Sequence, residues 1–556
     1  MSFATDLTNA PSSAPPPARA GDPDRLEASR LLRAGYRLLL ASALLLFVAK
    51  LVAKFEGSVV WDDAWMFQRY ARNLLDEGRI VWNPLGEATY GLTSPLMLVL
   101  VTPLHWLAGK QLGLAALLGS TLPGLAFLAL SFVLIAREMD APPWVKRALA
   151  VLLAYGFATS LLVDHFASGM DTMLALAFLS SYLLVAGRAE AEPSRRRAVV
   201  LGVVGGFAFG IRPELCSFTV LVPISFLVAG GRLRRVGASA LAITASMLAA
   251  HLAVNWLYFG TPVPLPFYAK STMLYGRAFV EAYRGTSTAE MVNFLNGHWP
   301  LLALAALDVV LHPRAVAKAP LDRAVLVSVL VCLGYSWAAA LQVMGGGGRF
   351  FYPTLAAFVL LSGRGVGRIA RSLGDAAENP KARDMLAGVF AIAFLAWTLT
   401  PQLLSASKDV ANAVAHRNVF NFQPAKIAKN AGALKYWARL DQFSALPDDL
   451  VIATTEVGFP GALNPKKVIV DLAGLNERRF AMQPLSANRL FAAYRPDLIY
   501  MPHPHYVEMT RSIEAHPDFK KDYEVFSSRQ LGASQFGLAI RRDSPHYAAM
   551  RAIAAK

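Results

Sequence analysis

The chain has 556 residues, of which 55% are hydrophobic and only 17% charged, with a mean hydropathy of +0.40. These values exclude an ordinary soluble domain and describe a polytopic membrane protein. The net charge of +16 does not indicate nucleic acid, because most Lys and Arg fall in short connections between apolar runs, where they act as orientation signals.

Residues 1–36, polar and rich in Pro and Ala, read as a disordered cytoplasmic tail, and no signal-peptide core with a cleavage site follows. Apolar runs then recur at 37–54, 113–136, 147–163, 170–187, 198–211, 214–229, 237–257, 299–312, 324–342, 350–363 and 386–404, which predicts about 11 crossings within a membrane domain spanning 37–404. The run 93–109 is broken by Pro95 and Pro103. It is expected to dip into the membrane without crossing, since only then do the basic connections around Arg137, Arg188, Arg232, Arg314 and Arg364 share the cytoplasmic side. The N-terminus is then inside, and the loop 55–92 faces outward. Cys216 and Cys332 lie within apolar runs, so neither a disulfide framework nor a cysteine metal site is expected.

Beyond residue 404 short β-branched runs, VIATTEV (451–457), KKVIVDLAGL (466–475) and PDLIYMP (496–502), alternate with helix-like stretches such as Pro424 to Trp437. This predicts an extracytoplasmic α/β domain over 405–556 that covers a site, holds an acceptor, or acts as a scaffold. It carries no dinucleotide, P-loop, zinc or nucleophile-elbow signature.

The chemistry-bearing residues sit where outward loops meet spans: Asp62 and Asp63, then His165 and Asp171 near Asp164, Arg212 and Glu214, Lys270, and Arg349 after a Gly345–Gly348 run. Charges at membrane depth are costly and tend to line cavities. As a set they supply carboxylates able to act as a base and cations able to neutralise a phosphate. Asp62 can equally be the N-cap of the next helix, whose Phe67, Tyr70, Ala71 and Leu74 form an apolar stripe suited to the membrane surface. Lys270 and Arg349 can be headgroup anchors, Arg212 with Glu214 a structural ion pair, and His165 a packed histidine.

Six segments in order carry a family resemblance. DDAWMFQRYARNLLDEGRIVWNPLGEATYGLTS, SGMDT, GIRPE, FGTPVPLPFYAK, GGGGRFFYP and VIVDLAGLNERRFA are similar to motifs of GT-C glycosyltransferases, membrane enzymes that take a sugar from a polyprenyl-phosphate carrier. The chain looks closest to the branch containing the mycobacterial terminal arabinofuranosyltransferase. It departs from that branch at Trp65, Leu85, Pro266 and Asp171, which bears on the donor sugar more than on the reaction type.

The resemblance implies an inverting transfer on the outer face of a bacterial inner membrane, to a glycan or glycolipid acceptor, with the C-terminal domain periplasmic. It implies Asp62 or Asp63 as base, Asp62 slightly favoured. Lys270, Arg349 and Arg212 would hold the donor phosphate, and Arg69, Tyr90, His165, Asp171, Glu214 and Tyr268 would contact substrate. Paired carboxylates can hold a divalent cation, but no further acid at fixed spacing completes a ligand set, so no cofactor is required. A lipid-linked sugar transporter or flippase would also place charges in a membrane cavity, yet predicts inverted repeats that the sequence lacks. A non-catalytic envelope scaffold gives no reason for Asp62, Lys270 and Arg349 to face one side.

Overall fold

The computed structural model describes residues 23–57, 60–109, 111, 113–159, 161–271, 276–338, 348–372, 437–483, 485–504, 506–531 and 536–556, and isolated positions between 388 and 415. The tail before residue 23, nearly all of the expected span 386–404, Gly345–Gly347, and the stretch from Pro424 up to Trp437 lie outside the described residues.

In chain order the helices are α1 Pro23–Gly57, α2 Asp62–Glu77, α3 Pro95–Ala108, α4 Leu114–Glu138, α5 Pro143–Thr159, α6 Leu162–Phe166, α7 Thr172–Ala191 and α8 Arg195–Gly206. They continue as α9 Ala208–Ile211, α10 Cys216–Ala229, α11 Gly231–Phe259, α12 Leu265–Ser271, α13 Gly276–Leu311, α14 Pro313–Lys318, α15 Pro320–Ala338 and α16 Thr354–Ser372. Among the described residues six stretches, in α1, α4, α7, α11, α13 and α15, are long and apolar enough to cross a membrane. The chain is thus a multi-pass, mostly helical membrane protein.

The ends of the bundle differ in chemistry. At one end Arg364 of α16 contacts Glu138 of α4 at 2.6 Å, Glu190 of α7 at 2.8 Å and Asp322 of α15 at 2.9 Å. One turn on, Arg368 bonds Asp308 of α13 at 2.5 Å and Asp322 at 2.6 Å. Five helix ends are thereby tied together, and removing either arginine would strand buried carboxylates at a cost of about 3–5 kcal/mol. The connections rich in Lys and Arg therefore gather at this end. At the opposite end lie α2, α3, α6, α12 and the C-terminal domain. Helix α3 packs on the start of α4, where Met97 and Val101 meet Gly119. It lies beside α2, and beyond its end the Gly113 amide donates to Gln68 Oε1 of α2 at 3.0 Å.

The C-terminal domain is built on strands β1 Val451–Thr454, β2 Val468–Asp471, β3 Leu498–Tyr500, β4 Tyr523–Phe526 and β5 Leu538–Arg541. They are ordered β2-β1-β3-β5-β4, with β2, β1 and β3 mutually parallel and β5 antiparallel to both of its neighbours, β3 and β4. Register places Ile469, Ile452, Leu498 and Ile540 in one row and Val470, Ala453, Ile499 and Ala539 in the next. Alternation along a strand sends adjacent rows to opposite faces. The first row shares a core with Trp65, Phe67 and Tyr70 of α2, and the second with Leu265 and Ala269 of α12 and with Phe480, Leu490 and Ile513.

The sheet thus packs directly on α2 and α12 of the membrane domain. This corrects one expectation, because the apolar stripe of α2 faces the sheet and not the membrane surface. Phe67, Tyr70 and Ala71 are buried there.

Candidate active site

The start of α2 decides how its two acids divide. Trp61, in extended conformation, precedes the helix, and its amide donates to Ser168 O at 3.0 Å. Adjacent residues on a helix point about 100° apart. Asp62 turns to the C-terminal domain, where its carboxylate accepts the amides of Gly458 at 2.9 Å and Phe459 at 2.7 Å, the unpaired first N–H groups of the helix Gly458–Leu463. Asp62 thus caps a helix 396 residues away and not its own.

The approach is so close that a Cβ at Gly458 would lie 1.7 Å from the Asp62 carbonyl oxygen, so only glycine fits. Burial pushes the Asp62 carboxyl up to about 7, against the lowering effect of the two amides. Asp63 turns instead into a cavity of about 270 Å³, where it meets Arg349 Nη2 at 2.8 Å.

Asp63, Asp171, Arg212, Glu214, Lys270 and Arg349 all line this one cavity, with Phe67, Leu92, Met170, Phe267 and Leu475 among its apolar walls. Each residue arrives through a local feature of the backbone. Asp171 stands at the start of α7. Pro213 disfavours helical conformation at Arg212, which becomes extended between α9 and the turn Pro213–Leu215. Gly348, at φ +68°, turns the chain just before Arg349.

Arg212 Nε pairs with Glu214 at 2.7 Å, its Nη1 donates to the Arg349 carbonyl at 3.2 Å, and Asp171 lies 4.0 Å away. Phe350 is flanked by three cations, with ring-centroid distances of 4.8 Å to Arg212, 5.0 Å to Arg349 and 5.6 Å to Lys270. Both arginines are engaged by carboxylates. Lys270 has no ion pair or hydrogen bond among the described residues. Burial, with Arg349 alongside, pushes its ammonium down to about 8. An anion entering the cavity would relieve that penalty.

Four other expected substrate contacts do not line the cavity. Arg69 donates to the carbonyls of Trp82 (2.7 Å), Gly461 (2.7 Å), Asn464 (2.8 Å) and Lys467 (2.9 Å) and to Asn83 Oδ1 (3.0 Å). With all five donors engaged, it clamps the loop after α2 to the C-terminal domain. Tyr90 stacks on Phe259, with centroids 4.7 Å apart, and receives a hydrogen bond from Asn255. His165 is buried between Trp61 and Tyr352, at centroid distances of 5.4 and 4.2 Å. Tyr268 packs against the core beneath α12.

Sequence reading missed the supports from the C-terminal domain. Buried Asp471 accepts the Asn476 amide at 2.8 Å and its Nδ2 at 3.0 Å, and Asn476 Oδ1 accepts from Tyr70 Oη at 2.9 Å. The backbone at Gly91 passes so near this chain of bonds that a Cβ would lie 2.0 Å from Asn476 Oδ1. Glu456, between β1 and the helix that Asp62 caps, is pushed well above its ordinary value by burial and by the charges of Asp62 and Asp63. Its one sequence signal was an acid directly after a strand. Among the described residues no group of three His, Cys, Asp or Glu side chains is arranged to hold a metal ion.

No protein-family model and no curated protein matches the chain. Solved structures similar to it include ArnT from Cupriavidus metallidurans in the apo state, at 14% identity over 91% of this chain and 98% of that one, with a TM-score of 0.49. The archaeal oligosaccharyltransferase AglB from Archaeoglobus fulgidus, in complex with an inhibitory peptide and a dolichol-phosphate, is 13% identical over 90% of this chain and 75% of that one, with a TM-score of 0.44. The Archaeoglobus fulgidus oligosaccharyltransferase tethered to an acceptor peptide is 12% identical over 90% and 74%, with a TM-score of 0.48. None of the three assigns a role to a residue of this chain.

Proposed function

We propose that the chain is an inverting glycosyltransferase of the GT-C kind, moving a sugar from a polyprenyl-phosphate carrier to a cell-envelope glycan or glycolipid on the outer face of a bacterial inner membrane. The observation that carries this reading is the convergence of Asp63 with Arg212, Lys270 and Arg349 on one cavity, at the end of the bundle opposite the basic connections. The six ordered motif resemblances support the same reaction class, and the branch they resemble most points to arabinofuranose or another pentose as the sugar.

In the reaction Asp63 accepts the proton of the acceptor hydroxyl. The hydroxyl oxygen bonds to the anomeric carbon, and the bond from that carbon to the phosphate oxygen breaks with its electron pair staying on the phosphate. Negative charge therefore grows on the leaving group, where Lys270 and the Arg349 fork stabilise it. The phosphate competes with Asp63 for Arg349, so donor binding loosens the 2.8 Å pair and frees the carboxylate to act as base. Arg212, held by Glu214, supports the same anion from beside Phe350. Asp62 contributes by holding the C-terminal domain over the cavity.

The test is incubation of purified protein with a panel of polyprenyl-phosphate sugars, read by mass spectrometry of the released lipid phosphate. Release with at least one donor is expected, increased by an acceptor glycan. Intact donors throughout, with the protein folded, would overturn the reading.

A further inference from the structure

The arginines at the basic end of the bundle are not all used alike. Arg364, Arg368 and Arg371 are each held by carboxylates. At the same end, two residues before the Glu190 that meets Arg364, Arg188 opens into a groove of about 760 Å³ shared with Arg196 and Arg232. These three come from the last turn of α7, the first turn of α8 and the start of α11. Among the described residues none of the three has an ion pair or a side-chain hydrogen bond. A fourth arginine of the groove, Arg197, pairs with Glu192, the one carboxylate in the lining, at 2.9 Å. The lining thus carries four positive charges against one negative.

An orientation signal depends on how many basic residues a connection holds. It gives no reason for guanidinium groups from two different connections to share one concavity. Unpaired planar forks converging in this way complement a phosphate, which they can hold with paired N–H bonds. Apolar surface continues from the groove. Val200 lines it, and Val200, Val203 and Phe207, spaced to fall on one face of α8, are all exposed. Helix α8 starts at the groove and leads through α9 toward Arg212, at the other end of the bundle. The stripe therefore runs from the basic end into the depth of the membrane, where a soluble anion would have no use for it and an acyl chain would cover it.

We infer that this groove binds an anionic phospholipid of the leaflet at the basic end, with its phosphate on Arg188, Arg196 and Arg232 and an acyl chain along Val200, Val203 and Phe207. The groove shares no lining residue with the Asp63 cavity, so it stands whatever reaction that cavity performs.

The test is native mass spectrometry of the full-length protein in detergent, titrated with phosphatidylglycerol, with phosphatidylcholine of the same acyl chains, and with inorganic phosphate. Wild type is compared with the triple variant Arg188→Gln/Arg196→Gln/Arg232→Gln and with a control, Arg234→Gln/Arg235→Gln/Arg314→Gln, which removes the same charge from exposed positions outside the groove. Both sets leave basic residues in every affected connection, so orientation is kept. Each arginine near a membrane surface is worth about fivefold in anionic-lipid binding, so phosphatidylglycerol affinity should fall about a hundredfold in the groove variant, about fivefold in Arg232→Gln alone, and little in the control. Phosphatidylcholine binding should be weaker in wild type and the same in all variants. Equal losses in the groove variant and the control would assign the effect to diffuse surface charge and overturn the inference. Equal wild-type affinity for the two lipids, or displacement of phosphatidylglycerol by inorganic phosphate at the same concentration, would overturn it as well.

Discussion

Two adjacent carboxylates with different duties can be separated by the same conservative substitution. The Asp62 oxygens each accept one backbone amide, Gly458 at 2.9 Å and Phe459 at 2.7 Å. Asn offers a single acceptor, so in Asp62→Asn one of these amides faces an NH₂ group and loses its partner. A buried donor left unsatisfied costs about 1–3 kcal/mol, which corresponds to roughly a 5- to 150-fold change in an opening equilibrium.

Asp63→Asn keeps an oxygen for Arg349 but cannot take a proton, and removal of a general base lowers turnover by about 10²–10⁴. Hydrogen exchange followed by mass spectrometry over a peptide containing 455–465 reads the cap, and single-turnover release of lipid phosphate reads the chemistry. Asp62→Asn should exchange faster at Gly458 and Phe459 while keeping turnover within about tenfold. Asp63→Asn should show the converse. Full turnover in Asp63→Asn, with loss of turnover and unaltered exchange in Asp62→Asn, would refute the division of roles.

Three further outcomes follow from the same geometry. Arg349→Lys keeps the charge but loses the planar fork that reaches Asp63, so donor affinity should fall about tenfold, with a larger loss of turnover for Lys270→Ala; equal donor affinity in wild type and both variants, measured by titration with a polyprenyl-phosphate sugar, would remove the two cations from the site. In a background lacking Cys216 and Cys332, cysteine at Leu85, 92% exposed at the turn after α2, should react with an impermeant maleimide on intact cells, whereas cysteine at Ser194 should react only after permeabilisation; the reverse would put the cavity on the cytoplasmic face. Burial raises the Asp471 carboxyl from 3.8 to about 7, so the folded state holds the proton more tightly than the unfolded chain, and its stabilising contribution is full below about pH 4 and lost as pH rises through 7. The melting temperature should accordingly fall from pH 4 to 8 with a shallower slope in Asp471→Asn, and an identical slope in the variant would count against the assignment.

The sequence by itself determined the membrane class, most of the apolar helices, and the gathering of basic connections at one end. These depend on local composition and length, because a backbone in hydrocarbon must satisfy its hydrogen bonds within each helix. It also marked five cavity residues, Asp171, Arg212, Glu214, Lys270 and Arg349, and the acid pair that holds the sixth, since a charge at the edge of an apolar run is costly enough to be conspicuous in the chain alone.

Tertiary structure alone decided which of Asp62 and Asp63 faces the cavity. It also decided that α2 lies under a sheet and not on lipid, that Arg69 clamps carbonyls 392 to 398 residues away, and that Glu456 and Asn476 belong to the neighbourhood of the site. Periodicity reports that a helix has an apolar face and propensity reports that an acid can cap, but neither names the partner. In this chain the partners come from a domain that begins hundreds of residues later, and hydrogen-bond acceptors on its backbone leave no mark in side-chain identity.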